Sequence, residues 1–188
     1  GERDVYGILE GPGGEVVWVL TGAEVVGLYP KVRAGWHHTF PGVFTSWRKE
    51  GDNWVAWQGE TAYYPEKKTV RRYPTTLIEA TYVRRGGKGY WVWATPMGLM
   101  DEEGRFIAET GYYVKSVATE GDWLAYVIGK AVVLEESSGK KQRYEFPMAV
   151  QGVGYGAREV WVWGSSYVYR RAGGAWHGEK VGGFIEEG

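Results

Sequence analysis

The sequence predicts an all-β fold made of one repeated unit of four short antiparallel strands. Three observations predict it. Trp- or Tyr-centred runs recur along the chain at a nearly constant interval. Short β-branched and aromatic runs alternate with Gly, Pro and charged clusters. No window of about 11 residues shows a helical period.

The recurring cores are Val17-Trp18-Val19-Leu20, Trp54-Val55-Ala56-Trp57, Tyr90-Trp91-Val92-Trp93, Trp123-Leu124-Ala125-Tyr126 and Val160-Trp161-Val162-Trp163. With Leu20, Trp57, Trp93, Tyr126 and Trp163 taken as equivalent and buried, the spacings are 37, 36, 33 and 37. A Gly-rich or acidic turn precedes each core, and glycine follows at Gly22, Gly59, Gly98, Gly129 and Gly164. A Val/Tyr-rich run comes next, as in Glu24 to Tyr29, Thr61 to Tyr64, Ala131 to Leu134 and Ser166 to Tyr169. After a charged turn, an edge run ends in aromatic-Pro at Phe40-Pro41, Tyr73-Pro74 and Phe146-Pro147. The last run leads back to the next core: Val43 to Trp47, Leu77 to Val83, Tyr112 to Val117 and Met148 to Tyr155. Val5 to Leu9 fills that slot for the first unit.

Four antiparallel strands at this period resemble the blades of a β-propeller, five of them over residues 1–188 as a single domain. Gly89 to Leu99 looks like the repeat of two-component-regulator propellers, in that one unit. A β-solenoid or β-sandwich is the alternative. In a propeller each sheet packs on both faces, which would use the tryptophans as wedge-filling structure. Gly182 to Ile185 reads as the start of a further first strand, so closure of the ring stays open. The absence of an initiator Met suggests a piece processed or excised from a longer protein.

Composition excludes several function classes. Zero cysteines remove disulfides, thiol catalysis and Cys-based metal sites. A net charge of −1 argues against a nucleic-acid binder. No signal segment and no apolar run of membrane-spanning length is present, which predicts a soluble chain of unknown compartment. One Asn, three Gln and three Met against 23 acidic residues match the composition of heat-adapted proteins.

Few residues offer chemistry. His37, His38 and His177 fall on edge runs, and neighbours on a strand point to opposite faces, so no metal and no cofactor is expected. The six serines have no histidine nearby in sequence. Gly152-Val153-Gly154-Tyr155-Gly156 leads into a strand, not a helix, and reads as close packing, not phosphate binding. Five-bladed propellers include glycoside hydrolases; the inner-strand acids here would be Asp4 and Glu79, with Glu186 if the tail closes the ring.

The favoured expectation is a non-catalytic scaffold that binds a protein partner through its loops. A lectin-like module is the alternative, and a glycoside-active enzyme the second. Charge concentrates in the turns before the Trp-rich run and before the edge run; the opposite end is nearly neutral and suits an interface core. The expected contact residues are Thr95, Pro96, Met97, Ser165 and Ser166, centred on Thr95-Pro96-Met97 as the longest turn of its class.

Overall fold

The computed structural model describes residues 5–10, 17–21, 24–29, 37–39 and 46–179, the first four segments by backbone alone. Among these, every regular element is a strand, and the strands form five four-stranded antiparallel sheets in simple up-and-down order. The first sheet holds β1 (Val5–Glu10), β2 (Val17–Thr21), β3 (Glu24–Tyr29) and β4 (His37–Thr39). The second holds β5 (Ser46–Glu50), β6 (Asn53–Gln58), β7 (Thr61–Tyr64) and β8 (Thr69–Arg72). The third holds β9 (Glu79–Arg85), β10 (Lys88–Thr95), β11 (Gly98–Asp101) and β12 (Phe106–Ala108). The fourth holds β13 (Val114–Glu120), β14 (Trp123–Ile128), β15 (Ala131–Glu135) and β16 (Lys141–Glu145). The fifth holds β17 (Gly152–Gly156), β18 (Glu159–Trp163), β19 (Val168–Ala172) and β20 (Ala175–Glu179). Two compact units divide the chain: residues 1–77 carry the first two sheets and 78–188 the other three.

Within the second unit the first strands stand side by side, and hydrogen bonds between them repeat at the interval of the sequence. Ser116 Oγ donates to Glu79 Oε1 at 2.9 Å, 37 residues back, and accepts from Val153 N at 3.2 Å, 37 residues on. Thr119 Oγ1 donates to Tyr82 O at 2.9 Å across the same interval. The sheets bury apolar residues on both faces. Leu124, Tyr126 and Ile128 of β14 pack with Val92, Ala94 and Leu99 of the third sheet, while Ala125 and Val127 pack with Val153, Val160 and Val162 of the fifth.

The aromatic-Pro motif has a specific task. Tyr73 N donates to Glu60 O and Leu77 N to Gly59 O, both at 2.8 Å. Phe146 N and Val150 N repeat this on Lys130 O and Gly129 O. Each exit link is thereby tied to its sheet's central hairpin, with the aromatic and the later aliphatic residue buried.

Three expectations need correction. The inner strands begin later than Leu77, Tyr112 and Met148, because the residues before Glu79, Val114 and Gly152 form the links. Trp93 and Tyr126 are not equivalent to Trp57. Gln58↔Thr61, Thr95↔Gly98 and Ile128↔Ala131 each close a two-residue hairpin, so Trp57 corresponds to Ala94 and Val127. The offset is one residue, which places the rings on the opposite sheet face. Trp163, expected to be buried, is 40% exposed. It lies over β17, where a Cβ added at Gly152 would stand 2.3 Å from its ring. The glycine-rich segment therefore does serve close packing, as a bed for this indole. Leu20 and the closing segment 182–185 lie outside the residues whose side chains or placement are described.

Candidate functional site

In the second unit each sheet has two chemically different ends. One carries the turns between the first and second strands and between the third and fourth. Its charges are tied together: Arg85 Nη1 meets Glu135 Oε1 at 2.8 Å, with both side chains largely buried, and Lys141 joins Glu135 at 3.6 Å. Arg105 pairs with Asp101 at 3.2 Å and Arg170 with Glu159 at 3.3 Å. Glu102, buried, accepts from Trp91 N at 3.2 Å. The charge concentrated in these turns is thus held in ion pairs and in a carboxylate that closes a backbone donor.

The opposite end carries the central hairpins and the links. Thr95 is fully buried; its hydroxyl donates to Gly98 O at 2.7 Å and accepts from Met97 N at 3.1 Å. Thr95 thus shapes the turn and has no side-chain surface for a partner, a correction to its expected contact role. Pro96 is half-buried and Met97 exposed. The 95–98 turn is a two-residue hairpin, so it is not the longest of its class. The fifth sheet has the longer connection, between Trp163 and Val168, and exposes Ser165 and Ser166 on it.

Backbone contacts join these pieces to two links. Gly111 N donates to Met97 O at 2.9 Å, which sets the link 109–113 against the Pro96-Met97 turn. Tyr167 Oη donates to Met148 O and Ala149 O at 2.9 and 3.0 Å, fastening the link 146–151 to the loop of Ser165 and Ser166. Around these two joins the apolar side chains stand out: Tyr112 at 62%, Tyr113 at 53% and Met97 at 52% exposure at one, and Met148 at 51% at the other. Between the links an open cleft of about 350 Å³ is lined by Tyr113, Lys115 and Gln151.

Tyr112, Tyr113, Lys115, Met148 and Gln151 were not legible as site residues, because Tyr112 and Met148 read as strand starts. A signal existed. Where other links have buried Tyr73 or Phe146 as the donor to the hairpin, this link has Gly111, so the tyrosines after it lie outside the core.

The chemistry-bearing candidates take structural positions. Glu79 Oε1 accepts from Ser116 Oγ and, at 3.1 Å, from Val117 N. Asp4 and Glu186 lie outside the described residues. His177 is exposed on β20, an edge strand, with a ring nitrogen 3.2 Å from Ala172 O; the side chains of His37 and His38 on β4 are outside the described set. No group of three or more His, Cys, Asp or Glu that could hold a metal occurs among the described residues. Nor does any described helix have the length and apolarity to cross a membrane.

No protein-family signature and no curated protein matches the sequence. Solved structures do match. Virginiamycin B lyase from Staphylococcus aureus aligns with TM-score 0.58 and 11% identity over 93% of this chain and 69% of that one. BBS1N in complex with ARL6DN gives 0.61 and 12% over 93% and 66%. The WD40 beta propeller domain of Doa1 gives 0.58 and 12% over 87% and 64%. The chain is a β-propeller. It spans 64% to 69% of the length of these structures. At such identities the likeness carries the fold, and one fold hosts unrelated functions.

Proposed function

We propose that this chain is a single propeller domain acting as a non-catalytic scaffold, and that it binds a protein partner through the link end of its second unit. The observation that carries this reading is the patch of exposed Met97, Tyr112, Tyr113 and Met148 at an end with few charges. Interface cores are depleted in charged residues and enriched in Tyr and Met, and unbranched Met adapts to irregular surfaces. Pro96, Ser165 and Ser166 form its uncharged surroundings. The charged end is less suited, since its ion pairs would have to be broken or desolvated for little return. Glu79 supports the non-enzyme reading, because its carboxylate already serves the neighbouring strand β13.

A lectin-like role draws on the same tyrosines, which could stack on a sugar ring beside Gln151. It is the second reading because the equivalent links offer Thr75 and Met148, and not a repeated aromatic pair.

The test is site-specific photo-crosslinking in extract of the source cells, with the reactive residue at position 112 and, separately, at position 138 on the charged end. A discrete protein adduct should form from position 112 and disappear when Met97→Glu is added. That substitution should weaken binding by more than about 1 kcal/mol if Met97 is a hot spot, with circular dichroism unchanged. An adduct from position 138 alone would overturn the reading. A glycan array that binds the wild-type chain but not Tyr112→Ala would instead favour the lectin.

A further inference from the structure

The link end holds a half-buried cation, Lys115, that has no counter-charge among the described residues. Lys115 lies where the β13–β14 register shifts between Val114 and Ser116. A bulge of this kind leaves its extra residue unpaired in the ladder and re-aims the side chain. Here Lys115 lines the cleft with Tyr113 and Gln151. It is half-buried and has no hydrogen bond or ion pair among the described residues. At the opposite end, Arg85, Arg105, Lys141 and Arg170 each have a carboxylate partner. An ammonium that has lost part of its water without gaining a counter-charge favours an incoming anion.

The neighbours sharpen the class of anion. A tyrosine hydroxyl and a glutamine amide each supply donors to an acceptor oxygen. With one ammonium, the cleft matches a monoanionic carboxylate; phosphate recognition draws typically on clustered arginines and their bidentate forks. Exposed Met97 and Tyr112 on one flank and Met148 on the other would cover an apolar side chain next to that carboxylate.

We infer that the cleft of Tyr113, Lys115 and Gln151 takes an Asp or Glu side chain from an extended segment of a protein partner, with an apolar neighbour on the methionine and tyrosine flanks. This rests on the reading of the link end as the binding face, and deepens it by naming the partner's chemistry.

The probe is a phage-displayed library of random 12-residue peptides selected on the intact chain. Selected peptides should carry Asp or Glu beside an aromatic or aliphatic residue. Their Kd should rise about tenfold, the order of 1.4 kcal/mol, with Lys115→Gln, while Lys115→Arg stays within about threefold. Replacing the acidic residue by its amide should cost the same, and added salt should shrink the difference. Peptides that lose binding with Met97→Glu yet are indifferent to Lys115→Gln would overturn the carboxylate inference and leave the binding face standing. Peptides indifferent to both would overturn both. Failure to select any peptide would overturn the extended-segment inference, and the crosslinking experiment would decide the face independently.

Discussion

Ser116 joins the three inner strands of the second unit. Its hydroxyl donates to Glu79 and accepts from Val153 N, so removing it strips two strands of a buried partner. A buried group left unsatisfied costs about 1–3 kcal/mol. Ser116→Ala should therefore lower the unfolding free energy in urea by that order, and an unchanged midpoint would contradict the linkage. Tyr155 behaves in the opposite sense. Its hydroxyl is buried without a hydrogen-bond partner among the described residues, and burial first, then the Glu120 carboxylate, push its ionisation up to about 12. The unfolded chain, at the ordinary tyrosine value near about 10, loses its proton earlier as pH rises. Between those values the unfolded state binds fewer protons, so stability falls with rising pH. The contribution is complete below about 10 and gone once pH passes the folded-state value. Tyr155→Phe should remove that alkaline loss while leaving stability at neutral pH unchanged or slightly higher, as parallel denaturation series across alkaline pH would show.

Turn chemistry decides matters at the scale of elements. The β17–β18 hairpin turns through Ala157 and Arg158, both with positive φ, at 50° and 64°. Side chains adopt this left-handed region at a cost of about 1–2 kcal/mol per residue, which is why such turns favour Asn-Gly. Ala157→Asn with Arg158→Gly should stabilise the fold by about 1 kcal/mol after the extra unfolded-state freedom of glycine is subtracted, read as a higher melting temperature. The same hairpin shows why glycine recurs in β17. At Gly152 an added Cβ would enter the Trp163 ring. Because that indole is already partly exposed, Gly152→Ala should swing it outward, visible as a red shift in tryptophan emission. An unshifted spectrum would mean the ring does not rest on the glycine.

At the scale of the whole molecule, the proposed binding end of the second unit's sheets lies opposite the end whose ion pairs tie the sheets together. Arg85, Glu135 and Lys141 join elements of the third and fourth sheets at the charged end. Glu135→Gln would leave the largely buried Arg85 guanidinium without its charged partner and should cost about 2 kcal/mol. Met97→Glu, on an exposed turn at the link end, should stay within about ±0.5 kcal/mol of the parent. A comparison of the two variants by thermal denaturation checks this division. Equal losses would mean that the link end is part of the stability core and not a surface free to bind.

The sequence by itself determined the architecture. Strand formation follows from local β-branched and aromatic runs, and the repeat of about 37 residues reappears in the bonds from Glu79 to Ser116 and from Ser116 to Val153. Such information is local or periodic, and a one-dimensional chain carries it. Register was not legible from the tryptophans, because alignment by residue type misses a one-residue offset that the two-residue hairpins fix at Trp57, Ala94 and Val127. Nor did local sequence distinguish Thr95, whose hydroxyl turns inward, from Met97 two residues later. Of the proposed binding face, Met97, Ser165 and Ser166 were read from the neutral turns and are exposed, whereas Tyr112, Tyr113, Lys115 and Gln151 were not read from the sequence. Their meeting depends on which links hydrogen-bond to which hairpins, and on a bulge that redirects one lysine. Only the tertiary structure decided that, because exposure and the convergence of side chains are set by neighbours distant in the chain.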